Sequence, residues 1–388
     1  MHSRRAFSAL LAGLLAKLRA ESDDEIREIR TYRHAQGLFV RVQSAGGAFG
    51  WGEAESGLPE LMETFIHAGL KKNALGQSIW DAERVWDRMF FDQHDLGPGG
   101  ALTGAIAGID LALWDLRGRV LQQPVHRLIG GKYRDRIRVY GSFGVGFGRR
   151  MTPSQAASKA RKFVERGYRA VKLRMQIRES RQNPDPDPTF EYVKAVREAI
   201  GPETELLVDI NNGYTAERAI AVGLRLRDEF RVRYYEDPVS DQNLEDYAAV
   251  TRALQGIATI AGEKQYTRWQ LRDLIVRGNV DYINPDVIKT GGLTEMKKIA
   301  AIAQAYQKPI ICHNTRPTVS TAASLHFMAS IPNAGPFLEA PDEDEFHALL
   351  SVVSRQFRFE QGYLTVPVTP GLGIEFDESK LRAASRVI

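Results

Sequence analysis

Short apolar runs and helical stretches alternate along most of this chain. From Glu25 the pattern is β-like, with runs at 26–32, 38–42 and 49–51, the signature of half-buried strands. Ser78 with Asp81 forms a capping signal for a helix over 80–86. The stretch 101–121 predicts a longer helix, apolar on several sides and so buried between layers. Strands followed by helices describe an α+β module. Beyond Gly130-Gly131, apolar runs fall at 139–143, 170–174, 206–210, 232–235, 258–261, 280–284, 309–312 and 336–338. Helical stretches such as 216–230, 294–306 and 318–330 lie between them. This alternation predicts an α/β fold: a modified TIM (β/α) barrel with an N-terminal α+β capping domain. An open doubly wound sheet is disfavoured, because no Gly-x-Gly-x-x-Gly follows a strand. The stretch 362–373 reads as strand and turn that pack back on the first module. The resulting divisions are an extension over 1–22, a capping domain over 23–135, a barrel over 136–355 and a returning segment over 356–388.

The extension has its own pattern. Ser3-Arg4-Arg5-Ala6-Phe7 opens a mostly apolar run to Ala16, followed by Lys17-Leu18-Arg19-Ala20. It resembles a twin-arginine export signal, which would place the protein in the periplasm. The alternative is an amphipathic N-terminal helix of a cytoplasmic protein. No apolar stretch approaches the roughly 18 residues of a membrane span.

Composition narrows the chemistry. The chain has 388 residues, a net charge of +4 and scattered basic residues, so it lacks the concentrated basic face that nucleic-acid binding needs. Cys312 is the only cysteine, which excludes an internal disulfide and a multi-thiolate zinc site. Within its apolar run it reads as a buried, inert thiol. The expected partner is a small-molecule carboxylate, and the expected assembly is a homo-oligomer.

The ionisable residues that end the apolar runs carry most of the functional signal. Asp209, Glu236, Glu263, Asp286, His313 and Glu339 stand 27, 27, 23, 27 and 26 residues apart. One strand, one helix and two loops need about 30 residues in such a barrel, so each of the six ends a successive strand and faces one common mouth. Any one alone could be a helix N-cap; six in register point to a site. Asp209, Glu236 and Glu263 form an all-oxygen cluster suited to Mg²⁺, with Mn²⁺ as the alternative. The competing reading is a carboxylate cluster satisfied by arginines. Lys172 and Arg174 occupy alternate positions of one strand and point the same way, ready to face an anionic substrate. His313 and Asp286, on neighbouring strands, suit a general base oriented by a carboxylate. His326 lies in a helical stretch and reads as structural.

These residues, with Gly50-Trp51-Gly52-Glu53, residues 109–115, 208–213, Glu236-Asp237-Pro238, Gly262-Glu263, 286–292 and 369–373, resemble the mandelate racemase branch of the enolase superfamily. The resemblance covers about residues 25–377. It implies that Asp209, Glu236 and Glu263 are Mg²⁺ ligands and that His313 with Asp286 is the base. It further implies that Glu339 hydrogen-bonds the enediolate oxygen, and that Lys172 and Asn211 face the substrate carboxylate. One position departs from the racemase pattern Lys-x-Lys: Arg174 stands where a second lysine base is expected, and arginine stays protonated. One-sided proton abstraction with loss of a β-hydroxyl is therefore favoured. The short connection 33–37 also resembles that of acid-sugar dehydratases. Arg316 either reaches a distal hydroxyl or second carboxylate, or lies on the surface. The expected activity is a Mg²⁺-dependent dehydratase of an aldonic or aldaric acid. The alternatives are a racemase or epimerase of a 2-hydroxy or amino acid, and a non-catalytic binding protein on the same scaffold.

Overall fold

The computed structural model describes residues 23–55, 57–145 and 151–385. The expected export signal lies outside them. No helix among the described residues is long and apolar enough to cross a membrane.

The N-terminal module is an antiparallel meander of β1 (Ile26–His34), β2 (Gly37–Ser44) and β3 (Phe49–Ala54). Two longer helices, α1 (Ala82–Phe91) and α2 (Ala101–Val120), pack over it. Helix α2 is buried from Leu102 to Gly118, as its apolar surround predicts. It lies directly on β3 because glycines line the contact. A side chain at Gly50 would strike the backbone of Ala112, and one at Gly52 the carbonyl of Gly108. The expected capping signal before α1 differs in detail. Asp81 occupies the N-cap position but makes no cap hydrogen bond, and its carboxylate faces Arg84 instead.

The barrel runs β4 (Arg136–Gly144), α3 (Pro153–Glu165), β5 (Ala170–Arg174), α4 (Thr189–Ile200), β6 (Glu205–Asp209), α5 (Ala216–Phe230) and β7 (Tyr234–Glu236). It continues through α6 (Leu244–Ala253), β8 (Ala258–Ala261), α7 (Arg268–Asp273), β9 (Tyr282–Ile283), α8 (Leu293–Ala305), α9 (Val319–Ser330) and β10 (Leu338–Pro341). Strands β4 to β9 pair in parallel and in chain order. Parallel bridges at Ile283–Ile310 and Ile310–Ala334 span the gap after β9, and β10 pairs with β4 to close the ring.

The C-terminal segment has two attachments. Strands β11 (Val353–Arg355) and β14 (Ile374–Phe376) pair with each other. Phe346, Leu349, Val352 and Leu381 share one apolar cluster with Tyr32, Phe39 and Trp51 of the meander. Between them the hairpin β12 (Phe359–Glu360) and β13 (Tyr363–Thr365) pairs antiparallel with the start of β4. The stretch 362–373, expected to pack back on the first module, divides between the two: β13 pairs with β4 of the barrel, whereas Gly371 N donates to Gln123 O and Leu372 N to Asp115 Oδ1 of the first module.

Inside the ring, Tyr140, Ala170, Leu207, Ile260, Ile311 and Phe337 form a buried apolar plug, with Tyr234 and Tyr282 packed against it. Successive interior positions on a strand are two residues apart. The next interior layer, toward the C-terminal mouth, is where the chemistry lies.

Candidate active site

All but one of the plug residues are followed two positions later by a polar one. Ala170 leads to Lys172, Leu207 to Asp209, Tyr234 to Glu236, Ile311 to His313 and Phe337 to Glu339. After Ile260 the second position is Gly262, whose φ of 139° turns the backbone so that the acid follows at Glu263. A side chain at Gly262 would come within 3.1 Å of Asn284 N. Asp286 lies beyond β9 and is bridged to His313. All six residues expected at the strand ends therefore meet at one mouth, together with Lys172.

This layer is buried and acid-rich. Asp209, Glu236, Glu263, Asp286 and Glu339 are each at most 8% exposed, and the cations among them are Lys172 and His313. Asp209 and Glu236 face each other in register. Lys172 Nζ donates to Glu236 Oε1 at 2.7 Å and lies 3.0 Å from Glu339 Oε1. His313 Nδ1 is 2.6 Å from Asp286 Oδ2, and its Nε2 is 2.7 Å from Glu263 Oε2. Asp209 accepts from Asn211 N at 2.8 Å and from Asn211 Nδ2 at 3.0 Å. Glu339 Oε2 accepts from Asn314 N at 3.2 Å.

Burial and charge compete at each group. Burial alone would lower the His313 imidazole, but Glu263, Glu339 and Asp286 lift it to about 10. Burial resists ionisation of Glu339, yet Lys172 and His313 hold its carboxyl down at about 2. Burial raises Glu236 well above the carboxylate range, and Asp209, Glu339 and Glu263 add to it against the pull of Lys172. Lys172 itself stays well above the ordinary lysine range, because Glu236, Glu339, Tyr140 and Asp209 outweigh its burial.

The remaining expected residues stand at the edge of this layer. Arg174 is in register with Asp209 and lies against Gly144, its Nε enclosed without a partner among the described residues. Arg316 is half-buried rather than on the surface, with its Nε likewise enclosed. The Asn211 amide nitrogen is committed to Asp209, which leaves Oδ1 enclosed and unpartnered among the described residues.

Other groups at the mouth escaped the sequence reading. Tyr140 lies under Lys172, with 5.3 Å from Nζ to the ring centroid. Lys264 approaches Asp237 Oδ2 at 3.4 Å and Glu263 Oε1 at 4.0 Å. Lys289 resists the cost of burial through Glu263, Asp286, Glu55 and Tyr266, which keep it above the ordinary lysine range. Lys264 was detectable as the neighbour of Glu263; no spacing marks Lys289. Concavity alone would misplace the site. A cavity of about 630 Å³ opens at the opposite end of the barrel, around Arg233, Tyr234 and Asp281, and holds none of these groups.

No three acidic or imidazole side chains among the described residues are gathered tightly enough to enclose an ion. The acids are turned onto Lys172 and His313 instead. The donor set nevertheless suits a hard divalent cation. Three carboxylates from successive strands are buried together, and Glu236 Oε2 is enclosed with no hydrogen-bond partner among the described residues.

Comparison with known proteins agrees with this geometry. Residues 26–130 match the mandelate racemase / muconate lactonizing enzyme N-terminal domain, and residues 155–380 the enolase C-terminal domain-like family. The D-galactarolactone cycloisomerase of Agrobacterium fabrum is 30% identical over 378 residues, covering 95% of this chain and 96% of that one. The D-galactonate dehydratase of Variovorax paradoxus is 30% identical over 374 residues, covering 93% of this chain and 94% of that one. The crystal structure of a mandelate racemase/muconate lactonizing protein from Paracoccus denitrificans complexed with magnesium superposes with a TM-score of 0.84 at 31% identity. It covers 92% of this chain and 96% of that one. The chain belongs to the enolase superfamily, in its mandelate racemase / muconate lactonizing enzyme group.

Proposed function

We propose that this protein is a Mg²⁺-dependent dehydratase of an aldonic or aldaric acid. The observation that carries the reading is the buried His313–Asp286 pair at 2.6 Å, set across from Lys172 and Arg174 at an acid-lined mouth. Similarity to a D-galactonate dehydratase along nearly the whole chain supports it.

Asp209, Glu236 and Glu263 are the residues that would hold the cation. Bound Mg²⁺ withdraws charge from the substrate carboxylate and so acidifies the hydrogen on the adjacent carbon. The side chains supply the rest. Lys172, with Glu339 beside it, and Arg174 at the rim orient the anionic substrate. Asp286 holds Nδ1 of His313; with Glu263 turned away toward a bound cation, Nε2 would lose the carboxylate that most strongly lifts the ring, and the neutral imidazole would accept the α-proton there. The C–H electron pair becomes the Cα–Cβ double bond as the C–O bond to the β-hydroxyl breaks. His313 returns its proton to that hydroxide, water leaves, and the enol becomes a 2-keto-3-deoxy acid. Arg174 gives the opposite face no second base, which disfavours racemisation.

The test is a panel of mono- and diacid sugars incubated with enzyme and Mg²⁺, with 2-keto products trapped as semicarbazones. A positive substrate is expected. Deuterium entering the α-carbon from D₂O with no loss of water would instead assign a racemase or epimerase.

A further inference from the structure

The barrel helices are not all started in the same way. Thr152, Thr215 and Thr267 cap α3, α5 and α7 with their own side chains. Helices α8 and α9 have no side-chain cap from their N-cap residues, Gly292 and Thr318. In each, an acid from the N-terminal module takes that role at the second helical residue. Asp110 Oδ2 accepts from Thr294 N at 3.1 Å, and its Oδ1 accepts the Thr294 hydroxyl at 2.5 Å. Glu53 Oε2 accepts from Ser320 N at 3.0 Å and from the Thr318 hydroxyl at 2.7 Å. All five residues are buried. A carboxylate at a helix N-terminus satisfies orphan N–H groups and opposes the helix dipole.

These two helices follow the strand ends that carry Asp286 and His313. The connections are short and internally bonded. Ile288 N donates to Asp286 Oδ1 at 2.9 Å, and Gly292 N to Val287 O at 3.0 Å. On the other side, Thr321 in the first turn of α9 accepts from Asn314 Nδ2 at 2.7 Å, and Asn314 adjoins His313. A shift of either helix start is therefore passed to one member of the pair.

We propose that Glu53 and Asp110 are positioning residues for the His313–Asp286 pair, through which the N-terminal module sets the geometry of proton transfer. The proposal rests on the assignment of that pair as the proton-transferring group. It gives the module a part in catalysis without contact with the reacting atoms.

The test compares Glu53→Leu, Glu53→Gln and Asp115→Leu in the full-length Mg²⁺-loaded protein. Asp115 is an equally buried acid of the same module, but its partners are Trp51 N, Leu372 N and Arg119, not a barrel helix. Three quantities are read: Tm, kcat against KM, and the proton NMR signal of the His313 Nδ1–H, assigned by its loss in His313→Asn. Glu53→Leu is expected to lower kcat about 100-fold with little change in KM, and to abolish the signal. Glu53→Gln keeps a carbonyl acceptor for both donors and restores both. Asp115→Leu lowers Tm but keeps the signal and kcat. Equal kcat and signal in Glu53→Leu and Asp115→Leu would overturn the proposal. Should Glu53→Leu not fold, Thr318→Val deletes one donor at similar volume and is expected to lower kcat and broaden the signal; no change in either overturns the idea. Should no sugar acid turn over in the wild type, the dehydratase assignment fails, and the signal in these variants still decides on positioning.

Discussion

The barrel mouth and the seam where the N-terminal module, barrel and C-terminal segment meet both bury histidine and acids, with opposite results. His313 in the mouth is lifted to about 10 by surrounding carboxylates, whereas His326 in the seam is pushed by burial and by His126 to about 3. His326 Nδ1 accepts from His126 N at 3.1 Å, which leaves Nε2 to donate to Leu372 O at 3.3 Å. The acids divide in the same way. In the seam Glu53, Asp110 and Asp115 all accept from backbone N–H groups. In the mouth Asp209, Glu236, Glu263 and Glu339 crowd one another around Lys172 and His313, with Lys264 and Lys289 adding to the pull on Glu263. Burial alone thus does not mark a catalytic site. Buried acids that stand apart and are met by backbone donors are structure, whereas buried acids that crowd one another, even where Asn211 N and Asn314 N also donate, are held ready for a ligand.

The sharpest way to break this distinction is to remove one histidine from each region. His313→Asn is expected to lower turnover by at least about 10³-fold with the fold intact, whereas His326→Asn lowers Tm and leaves the turnover of folded molecules unchanged. Equal losses of turnover would dissolve the distinction. Next in size is the response to Mg²⁺. At a hundredfold excess over its Kd the ion stabilises the native state by about 2.7 kcal/mol. Glu236→Gln should lose most of that gain and bind more weakly by calorimetry, while Asp110→Asn keeps it.

Acid titrates the seam. His326 has a folded value of about 3 against an ordinary 6.5, so the unfolded chain binds the extra proton between those values. Stability then falls as pH drops through that window, by about 1.6 kcal/mol between pH 6.5 and pH 5. Urea unfolding at both pH values should show wild type and His326→Asn differing by this amount, because His126, Glu53 and Asp110 titrate in both. The smallest effect is expected from Asp115→Asn, which keeps one acceptor oxygen. It should cost about 1 kcal/mol in urea unfolding with kcat unchanged.

The mouth was legible in the sequence because strand period and unit length are local properties. A charge ending each apolar run, repeated at the length of one strand–helix unit, places Asp209, Glu236 and His313 on a common layer before any contact is known. The layer is filled even where the strand is vestigial: β9 spans only Tyr282–Ile283, and Ile310 contributes only bridges. The seam was opaque for the converse reason. Glu53 meets Ser320 across 267 residues and Asp110 meets Thr294 across 184, and nothing near either acid encodes its partner. Arg316 shows the same limit, since the Glu53 charge it acts on lies in the other module.

The cluster joining Tyr32, Phe39 and Trp51 to Phe346, Leu349, Val352 and Leu381 bears on synthesis. A chain emerging from the ribosome exposes the first three long before the last four exist. Tyr32 waits for Glu378, 346 residues later, to accept its hydroxyl at 2.6 Å. Such distant pairings come late in folding. The module that covers the mouth is thus completed only after the barrel has been translated, which leaves an apolar surface open to chaperones throughout elongation.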